Sequence, residues 1–199
     1  MRQFRLASKS EGTRKIAEYP LRFHVENMPQ SNYIFVPRHS SENRKYIPTG
    51  FLPPDIIAGD SGMIIANATL YHFGILTSNV HMAWVCAICG RLKSDYRYSK
   101  DIVYNNFPWP TATDEQKSAI AQLAQGVLDA RAQYPDSTLA DMYGETSMLF
   151  HTALLNAHRE LDKAVMKLYG FSVKDVDEAA CVAALMERYK ALVENQRRC

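Results

Sequence analysis

Residues Phe107 to Pro110, Phe-Pro-Trp-Pro, constrain this chain more than any other stretch. Proline has no backbone N–H, fixes its own φ, and pushes the residue before it out of the helical region. Two prolines around one tryptophan therefore end regular structure, and the pattern of the chain changes across them. Before Pro110, short β-branched or aromatic runs are broken by Pro, Gly, Asn and Ser. After it, apolar residues recur at helical spacing. The expected fold class is α+β: a small, irregular, antiparallel β-rich module over residues 1–110, then an all-helical module over residues 111–199.

In the first part, Ser10 to Tyr19 reads as a short helix with Ser10 as N-cap and Pro20 at its end. The runs Asn32–Pro37, Lys45–Pro48, Met63–Asn67 and Leu70–Leu76 read as strands, with turns at Pro53-Pro54 and Gly59-Asp60-Ser61-Gly62. Ser78 to Cys89 reads as a helix capped by Ser78 or Asn79, with His81, Trp84, Val85 and Ile88 on one stripe and Gly90 as its stop. In the second part, Thr113 to Tyr134 opens with a capping box of Thr113 and Gln116. Ile120, Leu123, Ala124, Val127 and Leu128 form its apolar face, and Pro135 stops it. Further helices are expected over Ser147–Tyr169, broken once, and Val176–Asn195, with Gly170 as a C-cap and Ser172–Asp177 as a turn.

The stretch between the Ser78 helix and the proline–aromatic segment carries the chemistry. Arg91, Lys93, Arg97 and Lys100 fall within ten positions, interleaved with Tyr96 and Tyr98 and with Asp95 as the one acid among them. It reads as a nucleic-acid-facing loop. Cations neutralise phosphates, whereas a donor beside an acceptor can read base edges. In extended backbone, residues two apart leave on the same face, so Lys93 and Asp95 together match the acceptors and donor of one G·C pair. Arg91, Arg97 and Lys100 suit phosphate contacts, which position without carrying sequence information. Tyr96 and Tyr98 are candidates to pack on the sugar–phosphate backbone, although aromatic residues in strands are more often core. A second polar segment, Ser40 to Lys45, offers Ser41 and Arg44 for base contact, with Arg38 beside it for phosphate. Asp60 and Ser61, in a Gly-flanked turn, are a third candidate for base contact. The charge balance agrees: residues 1–110 hold 13 Lys and Arg against 8 Asp and Glu, whereas residues 111–199 hold 10 against 13. A polyanion would sit on the basic half, leaving the acidic half to solvent or protein.

GRLKSDYRYS followed by IVYNNFPWP, within Gly90 to Pro110, resembles the end of the target-recognition domain in the MmeI-like family of adenine DNA methyltransferase–restriction enzymes. Ser40–Asp55, Asn67–Trp84, Leu139–Tyr143 and Ala157–Phe171 are similar to further segments of that family, in the same order, so the resemblance covers nearly the whole chain. It implies sequence-specific recognition of double-stranded DNA, supplied to an adenine-N6 methyltransferase domain earlier in the same polypeptide. It also implies that the family's specificity-setting pair falls on Lys93 and Asp95. In such a parent enzyme a methyl group passes from S-adenosylmethionine to a flipped adenine.

The catalytic parts themselves are not expected here. Asn105-Asn106-Phe107-Pro108-Trp109 has the wrong order for an N/D-P-P-Y/F/W amino-methyltransferase loop. No glycine-rich strand–turn–helix precedes it to hold S-adenosylmethionine, so the chain is expected to bind no cofactor. Cys86-x-x-Cys89 lacks a second ligand pair, so no metal site is expected, and His72, His81, His151 and His158 show no ligand spacing. No run approaches the ~18 apolar residues of a membrane helix, and the few scattered cysteines suit the cytoplasm. The competing reading is a protein-interaction module, in which the acidic helical half binds a partner and the basic loop is a solvated face.

Overall fold

The computed structural model describes residues 1–23, 28–172 and 177–198. Two short helices, α1 (Arg2–Leu6) and α2 (Glu11–Lys15), lead into a 3-10 turn over Ile16–Glu18. Ser10 caps α2 by accepting from the Thr13 amide, as its position predicts. Arg5 ties this unit together by donating to the carbonyls of Ile16 and Tyr19 at 3.1 and 2.7 Å.

Strand β1 (Tyr33–Pro37) is followed by β2 (His39–Ser40), β3 (Gly50–Leu52) and β4 (Gly62–Ile65). β1 is the centre of an antiparallel sheet ordered β3-β1-β4, with Ile34 opposite both Phe51 and Ile65. Helices α3 (Leu70–Leu76) and α4 (Asn79–Ile88) come next, with Ser78 capping α4 through the His81 amide. They deliver the chain to β5 (Gly90–Leu92) and β6 (Asp95–Arg97). β2 joins them in a second antiparallel sheet ordered β2-β6-β5. A π-helical turn over Lys100–Tyr104 precedes the prolines.

Beyond the prolines lie α5 (Asp114–Ala132), α6 (Leu139–Met142), a 3-10 turn over Ser147–Leu149, α7 (Thr152–Leu168) and α8 (Glu178–Arg198). Thr113 and Gln116 form the expected capping box on α5, with bonds of 2.9 and 3.3 Å. α7 ends in a Schellman motif: Phe171 N–H donates to Met166 O at 2.9 Å, Gly170 N–H to Lys167 O at 3.0 Å. Gly170 holds φ at +79°, which favours glycine there. Of the expected Ser172–Asp177 turn, residues 173–176 lie outside the described residues, as does the expected helix start at Val176.

Two expected strands are corrected. Leu70–Leu76 is helix α3, because a continuous apolar run fits a buried helix as well as a strand, and tertiary packing decides. Thr69 N–H donates to His72 Nδ1 at 3.1 Å, which starts the helix, and Gly74 then lies against α5. A Cβ on Gly74 would stand 2.8 Å from Ile120 Cγ2 and 3.2 Å from Ala124 Cβ, so glycine sets the close approach of the two helices. Lys45–Pro48 pairs with no strand; Tyr46 and Ile47 instead bury their side chains against the helices.

The core crosses the prolines without a break. Ile34 and Val36 of β1, Phe73 of α3, Trp84 of α4, Ile120 and Val127 of α5, Leu161 of α7 and Leu185 of α8 belong to one buried cluster. Phe107, in the proline–aromatic segment, sits 4.6 Å from the His81 ring and 5.4 Å from Trp109. Tyr169 donates to the Pro108 carbonyl at 3.1 Å. The segment ends regular structure, but it is a packed part of the core.

Two histidines in this core set a pH dependence. Burial pushes the imidazoles of His81 and His158 down to about 3, aided at His158 by Arg131 and Lys45. In the unfolded chain a histidine titrates near ~6.5, so between these values the unfolded state binds more protons. Stability therefore falls as pH drops from about 6.5 toward 3, by up to ~1.4 kcal/mol per pH unit for each histidine. Asp162, whose carboxyl burial raises, acts in the opposite sense and offsets part of this below its own raised value. The expected outcome is a lower urea midpoint at pH 5 than at pH 7, with a smaller drop in His81→Gln.

Candidate nucleic-acid interface

The basic stretch is a β-hairpin rather than the loop expected from its composition. Leu92 faces Asp95, Arg91 faces Tyr96 and Gly90 faces Arg97, which leaves Lys93 and Ser94 as a two-residue turn. Period-two alternation sorts the β6 side of the hairpin into two faces. Tyr96 and Tyr98 point inward and are 5% and 2% exposed, so neither is available to pack on a sugar–phosphate backbone. Tyr98 Oη lies 2.9 Å from His81 Nε2, and Tyr96 Oη lies 3.1 Å from Cys86 Sγ, so both tyrosines fasten the hairpin to α4. Burial pushes the Tyr96 phenol up to about 12 and that of Tyr98 higher still, so both stay neutral. Arg97 and Asp95 point outward and are exposed.

Lys93 and Asp95 do share the hairpin tip, though not through extended backbone. Lys93 holds φ at +56° at the first turn position, where two-residue hairpins favour glycine. Asp95 begins β6, and its Oδ1 accepts from the Glu42 amide at 3.2 Å. That bond seats the Ser40–Lys45 segment against the tip, continuing the pairing of His39 with Arg97 and Ser40 with Tyr96. Ser41 Oγ accepts from the Asn43 amide at 3.3 Å, and Arg44 N–H donates to the Ser41 carbonyl at 3.2 Å, closing a tight turn. Lys93, Asp95, Ser41 and Arg44 are thus drawn together by two chain segments more than forty residues apart in the sequence.

The cations assigned to phosphate form a neighbouring surface. Arg38, Arg91, Arg97 and Lys100 all line one groove of about 650 Å³, together with Tyr98 and Ser99. Arg91 is fixed in place: its guanidinium lies 4.0 Å over the Tyr96 ring and donates to the Ser94 carbonyl at 2.9 Å. Arg38 is positioned by its own backbone, which donates to Ser61 O at 2.9 Å and accepts from Tyr98 N–H at 2.8 Å. Its side chain pairs with Asp60 at 2.9 Å, so the Asp60–Ser61 turn stands at the groove beside an arginine. Asp60 is 92% exposed in its side chain, and such a pair contributes only about 0–1 kcal/mol.

Sequence reasoning passed over the residues behind this surface. Tyr46, two positions after Arg44, donates to Asp162 Oδ2 at 2.5 Å and stacks on the His158 ring at 4.1 Å. Arg131 donates to the Tyr143 hydroxyl at 2.9 and 2.6 Å and to the Thr49 carbonyl at 2.7 Å. The signal lay in α7, where His158 and Asp162 fall four apart on a stripe otherwise made of Leu154, Leu155, Leu161 and Val165. Cys86 and Cys89 carry thiols whose pKa burial raises, and among the described residues no group of three His, Cys, Asp or Glu is placed to hold a metal. No helix among the described residues is long and apolar enough to cross a membrane.

A polar hairpin tip and a basic groove thus stand together on a helical support. Residues 1–111 match the family model for the MmeI target recognition domain, and residues 112–196 that for the MmeI C-terminal domain. The chain belongs to the MmeI family. It is 36% identical over 187 residues to DNA methyltransferase A of Bacillus subtilis (strain 168), which covers 94% of this chain and 21% of that protein. It superposes with a TM-score of 0.87 and 39% identity on the type IIL restriction-modification enzyme MmeI solved in complex with DNA, covering 97% of this chain and 25% of that one. The chain thus spans about a fifth to a quarter of the relatives it matches.

The turn backbone itself can be tested. A left-handed conformation costs a non-glycine residue about 1–2 kcal/mol, and glycine gives back part of that through its unfolded-state freedom. Lys93→Gly is expected to raise stability by roughly 0.5–1 kcal/mol in urea denaturation.

Proposed function

We propose that this chain recognises a specific sequence in double-stranded DNA on behalf of a site-specific adenine-N6 methyltransferase of the restriction-modification type. The observation that carries this reading is the hairpin: it presents Lys93 and Asp95 at its tip and Arg91 and Arg97 along its sides, beside a groove that Arg38 and Lys100 complete. In this reading the four groove cations hold phosphates and set the register of the duplex, while the tip enters the major groove. Lys93 donates to the guanine of one G·C pair and Asp95 accepts from the cytosine amino group. Ser41 and Arg44 read bases next to that pair, and Asp60 and Ser61 meet the far side of the groove. Arg38 exchanges its Asp60 partner for phosphate as the duplex arrives.

Methyl transfer belongs to the rest of such a polypeptide, whose methyltransferase domain is the second partner. The connection from β4 to α3 reads Ala66-Asn67-Ala68-Thr69, with no glycine to let backbone amides approach a nucleoside cofactor. S-adenosylmethionine is accordingly assigned to that other domain, and this chain's share of the reaction is to position the duplex.

Fluorescence anisotropy on duplex DNA over a salt series tests the reading. Wild type should weaken steeply with salt, and Arg91→Ala/Arg97→Ala should lower the slope of log K against log salt by about 2. A selection from randomised duplexes should then yield a preferred site. The reciprocal exchange Lys93→Asp/Asp95→Lys reverses donor and acceptor, and should reverse G·C to C·G at one position only. Unaltered preference at every position would remove these two residues from base reading. A polypeptide carrying both this chain and the methyltransferase domain that binds no duplex at low salt would favour a protein partner instead.

A further inference from the structure

The base-reading surface is closed into a ring by one buried carboxylate on the helical half. Asp162 of α7 is 7% exposed and uses both of its oxygens. Oδ2 accepts from the Tyr46 hydroxyl at 2.5 Å, and Oδ1 accepts from the backbone N–H of Asn79 at 2.8 Å. Tyr46 follows the Ser41–Arg44 turn in the chain, and its ring is pinned on His158, one helical turn before Asp162. Asn79 is the first residue of α4, where a carboxylate also meets the positive end of the helix dipole. The far end of α4 launches the hairpin, whose Asp95 returns to the turn through the Glu42 amide at 3.2 Å.

The structure assigns to Asp162, resting on the DNA-recognition reading above, the role of a positioning residue for specificity: through Tyr46 and α4 it sets the Ser41–Arg44 turn and the Lys93–Asp95 tip relative to one another. Neither arm fixes this geometry alone. The turn lies just beyond the His39–Arg97 and Ser40–Tyr96 pairs and meets the tip through an exposed bond to Asp95, which water competes for, whereas the Tyr46 bond to Asp162 is buried and the Asn79 bond partly so. Burial raises the Asp162 carboxyl, opposed by its two hydrogen bonds and by Lys45. A site that gains nothing from an acid beyond these two acceptances should tolerate Asp162→Asn, because the Tyr46 hydroxyl can rotate to accept from the new amide while Asn79 N–H keeps its acceptor. Asp162→Ala removes both bonds. Tyr46→Phe removes one hydroxyl and keeps the stack on His158.

Two readouts separate this role from simple support of the fold. In the free protein, hydrogen exchange at the Glu42 amide should accelerate by about threefold or more in Tyr46→Phe and Asp162→Ala, with amides of β1 unchanged. On duplex DNA, the preference for the selected site over single-base variants at the pair read by Lys93 and Asp95 should fall about tenfold, with the salt slope unchanged. Asp162→Asn should stay near wild type in both. Tyr46→Phe serves if Asp162→Ala fails to fold. Folded variants that keep wild-type discrimination would overturn the assignment. A wild-type protein that itself shows no sequence preference would overturn the DNA reading and the specificity role with it, while an accelerated Glu42 amide would still establish the mechanical link.

Discussion

The alternation of side chains along the second strand of the hairpin is the constraint on which the rest of the surface depends. Tyr96 and Tyr98 face α4 and Arg97 faces outward, because successive residues of a strand leave on opposite sides. A slip of one residue would turn both tyrosines to solvent and bury Arg97, so the register is strongly specified. The tyrosine hydroxyls strengthen that choice. A buried phenol left without a partner costs about 1–3 kcal/mol, and here each finds one on the same helix. Once the tyrosines are seated, the positions of Asp95, Arg97 and the turn between the strands follow.

That seating would be of little use on a mobile support. α4 is buried along Val80, Met82, Ala83, Trp84 and Val85, and Trp84 Nε1 donates to the Val103 carbonyl at 3.0 Å. The helix is held from behind by α7 and α8, so residues after Pro110 determine where a hairpin before Pro110 stands. Arg131 makes the same connection lower down, by holding the Thr49 carbonyl beside β3. The candidate recognition side chains sit on short strands and turns, while long helices fix where they stand. Such a division suits a reader of bases, since phosphate contacts tolerate small shifts and base contacts do not.

Local signals carried much of this architecture in the sequence. The caps at Ser10, Ser78 and Thr113, the stop at Gly170 and the break in the Ser147–Tyr169 helix rest on chemistry within four or five residues, and each is found where its residues stand. The α3 helix reads equally as a strand because its seven residues are mostly apolar, and the Thr69–His72 cap and the contact of Gly74 with α5 decide for helix. The candidate surface divides in the same way. Grouping of Arg91, Lys93, Asp95 and Arg97 is visible in one short stretch, whereas the approach of Ser41 and Arg44 depends on a bond between residues 42 and 95. Asp162 was the least legible of all. It is 116 residues from Tyr46, and the α7 stripe that places it inside does not say what it meets there.

The most direct test of the account is a titration of the isotope-labelled chain with a cognate duplex, followed by NMR through the backbone amides. The account predicts that shifts concentrate on Ser41–Arg44, on Gly90–Lys100 and around Arg38 and Asp60, with the helices α5 and α8 unmoved. Shifts confined to the helical half, with the hairpin tip unchanged, would contradict it.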